Sequence, residues 1–280
     1  MTFTIYADAK AFSDDVQHVL GRHEIQNNLL YKNIGDGKFM ASVKDDSGNV
    51  LLTAARTPPL PMTMYETDNI RNDDAVAFFA RSLAEHGVDN DFVMTEKALA
   101  KSFCDQYGKL TGREFYNNES LVFYVLDKVN ELAPCPGIFR AACPDDMFFL
   151  PYWFADFAPA CNIGAYNLTT GIEGAGKAIE NRRAYIWEDV YPVSLAMHTR
   201  SVADCAIIAQ VYTPPNLRGK GYSTACVWHL TRKLLDDGFK RCALYADCAN
   251  PYSNRVYQKV GYRETFWYDQ YKVISKDYAP

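Results

Sequence analysis

No stretch of the 280-residue chain approaches the roughly 20 consecutive apolar residues that a membrane-spanning helix needs. The first segment, MTFTIYADAKAFSDD, reaches acidic residues before any apolar run long enough for a secretory signal. Both absences lead to the expectation of a cytoplasmic protein without a membrane partner. A basic excess is missing too: 29 Lys and Arg stand against 34 Asp and Glu, for a formal net charge of -5. Nucleic acid is therefore not an expected partner, because phosphate recognition depends on Lys and Arg displacing counterions. Nor is there a CxxC pair. The eight cysteines lie apart, at 104, 135, 143, 161, 205, 226, 242 and 248, and no two of them precede histidines at zinc-site spacing. Reduced, structural thiols and no metal are expected.

With 48% hydrophobic and 22% charged residues, the chain can bury two medium-sized cores. The segment ELAPCPGIFRAACPDD, residues 131–146, carries three prolines and a glycine that interrupt helix and strand alike. It marks an expected boundary between domains 1–136 and 137–280. In the first, helical spacing predicts a helix from Asp14 to Leu30, and Asp45 to Asn49 predicts a hairpin turn between two apolar segments. A helix capped at Asn72 or Asp73 and stopped at Gly87, the strand FVMT, a helix stopped at Gly108 and a closing strand follow. The second domain repeats the order: hairpin AYIWEDVYPVSLAMHT, strand AIIAQVY, a helix stopped at Gly238, strand ALYAD, a helix stopped at Gly261 and final strands. The triplets Thr57-Pro58-Pro59 and Thr213-Pro214-Pro215 and the two pairs of glycine stops each lie about 150 residues apart, which suggests a structural duplication.

The chemistry gathers in the second half. Arg218-Gly219-Lys220-Gly221-Tyr222-Ser223 follows the apolar strand and opens a helix whose apolar positions Cys226, Leu230 and Leu234 recur every four residues. Strand, glycine turn and helix make an anion-binding arrangement, since glycines admit close backbone approach and the helix N-terminus adds positive charge. Further on runs Asn250-Pro251-Tyr252-Ser253-Asn254-Arg255-Val256-Tyr257-Gln258-Lys259-Val260-Gly261-Tyr262. Together the two segments resemble motifs A and B of the GNAT acetyltransferase superfamily. Arg218, Gly221 and Ser223 take the places of motif A; Asn250, Ser253, Val256, Tyr257, Lys259, Gly261 and Tyr262 take those of motif B. The wording VYTPP, RGKGYS, LYAD and NPYSN is similar to bacterial acetyltransferases built from two GNAT-like halves.

The resemblance implies an α+β fold of tandem GNAT-like units, each a twisted, mostly antiparallel sheet flanked by helices. It implies an N-acetyltransferase that uses acetyl-CoA, needs no metal, and acetylates a primary amine of a small molecule or peptide by direct attack. Backbone groups of Val211, Tyr212 and Thr213 would pair with the pantetheine arm, one N–H acting as an oxyanion donor. Arg218, Gly219, Lys220, Gly221, Tyr222 and Ser223 would hold the pyrophosphate. Asn250 and Ser253 would order the pantetheine or its neighbouring loop, and Tyr257 would protonate the departing thiolate. The general base is unassigned, with Glu188, Asp189, His198 and Asp204 in the region. The N-terminal half has no glycine turn after Thr57-Pro58-Pro59, so it is expected to be a degenerate unit without a pyrophosphate site.

Two other segments carry weaker signals. Gly171 to Lys177 nearly spells a nucleotide-binding P-loop, but Ala178 stands where the magnesium-binding hydroxyl belongs, so a connection and helix is the expectation. The aromatic run from Phe148 to Phe157 reads as core, part of which could wall an acceptor pocket. A non-catalytic acyl-CoA sensor or scaffold is the rival function; it would keep the glycine turn yet need no Tyr257. An acyl group other than acetyl is a further alternative.

Overall fold

The computed structural model describes residues 1–35, 38–161 and 164–274. In chain order the first half runs β1 (Thr2–Ile5), α1 (Ala9–Leu20), α2 (Asn28–Gly35), β2 (Phe39–Lys44), β3 (Val50–Arg56), β4 (Thr63–Glu66), α3 (Asp73–Glu85), β5 (Phe92–Glu96), α4 (Lys97–Thr111) and β6 (Phe115–Leu126). The second half runs β7 (Ile138–Ala141), α5 (Leu150–Ala160), α6 (Leu168–Glu180), β8 (Ala184–Asp189), β9 (Tyr191–Val202), β10 (Cys205–Tyr212), α7 (Tyr222–Asp236), β11 (Arg241–Asp247), α8 (Pro251–Val260) and β12 (Arg263–Val273). Strand, two helices, three strands, helix, strand, helix, strand occurs twice. This order carries the duplication better than the landmarks do. Thr57-Pro58-Pro59 follows β3, whereas Thr213-Pro214-Pro215 follows β10, the counterpart of β4, so the two triplets are not equivalent.

The chain forms two compact units: Met1–Val122 with Phe266–Pro280, and Phe123–Thr265. The proline-rich segment 131–146 thus lies inside the second unit. The first unit contains an antiparallel sheet in the order β1-β2-β3-β4, and β5 pairs antiparallel with β12 from Phe92↔Lys272 to Glu96↔Tyr268. Local chemistry fixes its elements. Asp45 Oδ1 accepts from the Ser47 and Asn49 amides and closes the β2–β3 turn, and Asn72 Oδ1 accepts from Ala75 N and caps α3. Val76, Phe79, Ala80 and Leu83 recur at helical spacing and are fully buried, with Phe79 lying between the rings of Phe3 and Phe103. Each such buried Leu or Phe contributes on the order of 1.5–3 kcal/mol before entropy is charged.

Two helical expectations shift. The helix predicted from Asp14 to Leu30 breaks after Leu20, where Asn27 Nδ2 donates to the Leu20 carbonyl and a new helix begins at Asn28. Gly108 lies inside α4 rather than ending it; the left-handed cap is Gly112, at φ 70°. At Gly108 an added Cβ would meet the Arg113 carbonyl oxygen at 2.6 Å, so that glycine serves close packing.

In the second unit the strands run in the order β12-β6-β11-β10-β9-β8-β7, with β10 and β11 parallel and the β7–β8–β9–β10 run antiparallel. Leu150, Ala175, Ala178, Ile186, Leu195 and Tyr212 form a buried cluster, against which Phe149, Trp153, Phe154 and Phe157 pack. The aromatic run is therefore mainly core, although Phe148 and Tyr152 are exposed. The P-loop-like segment is the interior of α6, and two of its glycines let α5 approach. An added Cβ at Gly171 would overlap the Pro151 carbonyl oxygen, and one at Gly174 would crowd the Phe154 ring, whereas Gly176 faces open space. Gly171→Ala is expected to lower the unfolding free energy by about 1–3 kcal/mol through overpacking. Gly176→Ala, on the same helix, is expected to raise it by up to about 1 kcal/mol. Urea unfolding midpoints of the two variants check the pair.

Candidate functional site

In the second unit, β10 and β11 begin as an ordinary parallel pair, with Cys205 opposite Arg241, Ala206 opposite Cys242 and Ile207 opposite Ala243. Pairing then stops, although β10 continues to Tyr212 and β11 to Asp247. The end of the pairing coincides with irregularities in β10, where the register with β9 first shifts between Ile207 and Ile208. Gln210 has φ 54°, and the register with β9 slips between Ala209↔Met197 and Tyr212↔Leu195, which places one extra residue on β10. Such a bulge bends the strand and sharpens its twist. On the side facing β11, the backbone from Ile208 to Tyr212 has no strand partner among the described residues. A strand edge left without a neighbouring strand suits an extended chain carrying amides of its own. This includes two of the three backbone positions expected to pair with a pantetheine arm.

The glycine turn lies just beyond. Ser194 Oγ donates to Tyr212 O at 3.2 Å and shares a 2.8 Å hydrogen bond with Thr213 Oγ1, while Arg218 Nε donates to Thr213 O at 2.9 Å. These bonds pin the strand end to the start of the turn. Gly219 and Gly221 have φ of 80° and 86°, values that L side chains rarely adopt. Gly221 is the N-cap of α7 and has no side chain, so no side-chain acceptor covers the first amides of that helix. Neither Lys220 nor the terminal nitrogens of Arg218 make an ion pair among the described residues. Uncapped amides, a helix N-terminus and two cations are the elements that suit an anion. Arg218 thus has two jobs, because its Nε also clamps the turn. Tyr222 Oη donates to Asp189 Oδ2 at 2.6 Å, and that carboxylate pushes the phenol pKa up to about 12. Its side chain is therefore committed, leaving its backbone amide for an anion.

Motif B begins α8. Asn250 Oδ1 accepts from Tyr252 N at 3.2 Å and Ser253 N at 3.1 Å, and Ser253 Oγ donates to Asn250 O. The acceptor of Asn250 is spent on its own helix cap, and so is the Ser253 hydroxyl. The sequence did not single out Asn254. Its Nδ2 donates to both Asp247 O and Asn250 O, at 2.9 and 2.8 Å, and ties the end of β11 to the start of α8.

Tyr257 lies two helical turns after Asn250. Its ring is buried, with the rings of Tyr124 and Tyr262 at 6.0 and 6.2 Å. The hydroxyl makes no hydrogen bond among the described residues. Burial, with Cys161 and Tyr124 adding smaller effects, pushes its pKa well above the ordinary tyrosine value. The phenol therefore holds its proton at neutral pH.

The residues weighed as a base are engaged elsewhere. Glu188 pairs with Arg140, which also holds Asp146, and Asp189 accepts from Tyr222. His198 Nε2 lies 2.9 Å from Ser201 Oγ, and Asp204 pairs with Arg241 and Lys240. A different carboxylate reaches the end of β10: Tyr212 Oη donates to Asp156 Oδ2 at 3.2 Å. Among the described residues, no group of three or more His, Cys, Asp or Glu side chains is placed to hold a metal ion.

The first unit offers a contrast at the counterpart turn between β4 and α3. Thr95 Oγ1 donates to Met64 O at 2.6 Å, and Met62 and Val93 form a parallel bridge, so β4 and β5 remain tied. Glu66 accepts from Asn72 N and pairs with Arg71, Asn72 caps α3, and Asp73 and Asp74 fill its first turn. That turn has acidic residues where the second unit has uncapped amides and cations.

Residues 150–262 match the acetyltransferase (GNAT) family model. The second unit is therefore similar to GNAT-family acetyltransferase domains over these residues. Members of this family generally transfer an acetyl group from acetyl-CoA. Solved structures agree in fold. A GCN5-related N-acetyltransferase from Sphaerobacter thermophilus is 12% identical, with a TM-score of 0.68 over 97% of this chain and 95% of that one. A GNAT-family acetyltransferase from Colwellia psychrerythraea is 11% identical, with a TM-score of 0.64 over 98% and 100%. A tandem GNAT protein from the clavulanic acid biosynthesis pathway is 10% identical, with a TM-score of 0.54 over 96% and 98%. The α+β architecture is that of tandem GNAT structures. No curated protein matches the chain.

Because the phosphate grip would be mostly backbone, Gly221→Val is expected to weaken CoA binding roughly tenfold or more by forcing a β-branched residue into positive φ. Calorimetry on the folded variant measures this; unchanged affinity would remove the glycine turn from the binding site.

Proposed function

We propose that the chain is an N-acetyltransferase that moves acetyl from acetyl-CoA to a primary amine of a small molecule or peptide by direct attack. The observation that carries this reading is the parting of β10 from β11 at the Gln210 bulge, directly before a glycine turn at an uncapped helix N-terminus. The pantetheine arm would lie along Ile208 to Thr213, and the pyrophosphate on Gly219 to Ser223 with Lys220 and Arg218. Val211 and Tyr212 supply backbone partners, and a freed N–H would stabilise the oxyanion as the amine nitrogen bonds to the thioester carbon. The nitrogen would lose its proton to water, and when the carbon–sulfur bond breaks Tyr257 would give its proton to the thiolate and regain one from solvent. The residues 1–136 form, in this reading, a degenerate GNAT-like domain that holds no CoA, and 137–280 the catalytic domain.

The retained proton and unpartnered hydroxyl of Tyr257 favour an enzyme over the sensor alternative, since mere binding needs no acid. The eight thiols are all free, in keeping with a cytoplasmic setting. Among the described residues no helix is long and apolar enough to cross a membrane.

Tyr257→Phe keeps the ring and its packing, and it removes a hydroxyl that makes no hydrogen bond among the described residues. It is expected to bind acetyl-CoA normally and to transfer acetyl about 100- to 10,000-fold more slowly. Single-turnover transfer at saturating acetyl-CoA reads the chemical step. A wild-type rate would assign the proton to water or to CoA itself.

A further inference from the structure

Among the described residues, the carboxylate of Asp156 has one hydrogen-bond partner, which is neutral, and no ion pair. It lies on α5, half-buried, and receives only the Tyr212 hydroxyl among the described residues. A partly desolvated carboxylate is stabilised far more by a cation than by a phenol, so this one is electrostatically unfinished. Its position is specific. Tyr212 is the last residue of β10, at the end of the run that is unpaired with β11 and carries the Gln210 bulge. The helix that brings Asp156 there also brings aromatic rings. Trp153 is three residues earlier and Phe157 one later; the Trp153 ring lies 6.0 Å from Tyr212 and 4.6 Å from Phe149. Burial, together with Asp156, pushes the Tyr212 pKa up to about 12, so the phenol remains a neutral donor and never competes as an anion.

We propose that Asp156 receives the ammonium of the acceptor, and that the rings beside it select an amine whose cationic nitrogen adjoins an aromatic or aliphatic body. Trp153, which is only partly buried, offers its ring to both the cation and that body, and the buried Tyr212 ring backs it. Anionic acceptors are disfavoured at the same place by the carboxylate. Asp156 is a specificity-determining residue in this account. It rests on the reading of the second unit as an N-acetyltransferase, and it sets which amines reach the thioester.

The test uses the full chain with CoA in place of acetyl-CoA, so that an amine binds without reacting. Calorimetry follows CoA first, then 2-phenylethylamine, with 2-phenylethanol as the uncharged comparator of similar size. Wild type is expected to bind the amine at least about tenfold more tightly than the alcohol. In Asp156→Asn that preference should fall below about twofold with CoA affinity unchanged, and Asp156→Glu should retain most of it, which a purely structural role would not produce. An amine preference that survives Asp156→Asn, or that wild type never shows, overturns the proposal. Failure of wild type to bind CoA would instead count against the acetyltransferase reading, and the amine titration without CoA still decides the role of Asp156.

Discussion

Everything that makes the second unit chemically interesting depends on a strand pair that stops pairing. A parallel pair inside a sheet normally satisfies its backbone groups to the end of the shorter strand. Here the ladder between β10 and β11 ends at Ile207 and Ala243, where the register of β10 with β9 first shifts, and one extra residue at Gln210 follows on β10. Unpaired buried backbone is expensive, so the arrangement persists only where another partner completes it. The bonds of Ser194 and Arg218 to the Tyr212 and Thr213 carbonyls hold the strand end in place, and Asn254 does the same for β11. The ends of both parted strands are thus held in place.

The two units show what the bulge changes. They share an element order, yet β4 and β5 are joined by the Met62–Val93 bridge and by the Thr95 hydroxyl, and the following helix is capped by Asn72. An acidic turn with a filled cap is unfavourable for a pyrophosphate, whereas an uncapped glycine turn flanked by Lys220 and Arg218 has the charge and free amides that would suit one. Similar topology therefore yields one stretch of backbone prepared for a ligand and one satisfied internally.

What could be read from the sequence was short-range. Gly219 and Gly221 occupy positive φ and Asn250 caps α8, because turn and cap preferences act within a few residues. The β2–β3 hairpin and α3 were legible for the same reason, through Asp45 and Asn72. The misses are long-range or depend on packing. Nothing about Gln210 announces a bulge, since glutamine has no special tolerance for φ 54° and the strain is held by the surrounding sheet. Asp156 meets Tyr212 across 56 positions of sequence, which no spacing rule connects. Gly108 looked like a helix stop, yet its role is to let the Arg113 carbonyl come close. The two Thr-Pro-Pro triplets were equivalent in spelling only, because proline pairs mark strand ends in general.

The central claim is that the parted stretch of β10 and the glycine turn together receive the donor. Hydrogen–deuterium exchange on the full chain, with and without saturating CoA, tests it most directly, alongside the calorimetric stoichiometry. The account predicts one CoA per chain, with new protection concentrated in residues 208–213 and 218–224 and none in 63–75. Protection absent from those two segments, or a second equivalent with protection around 63–75, would contradict it.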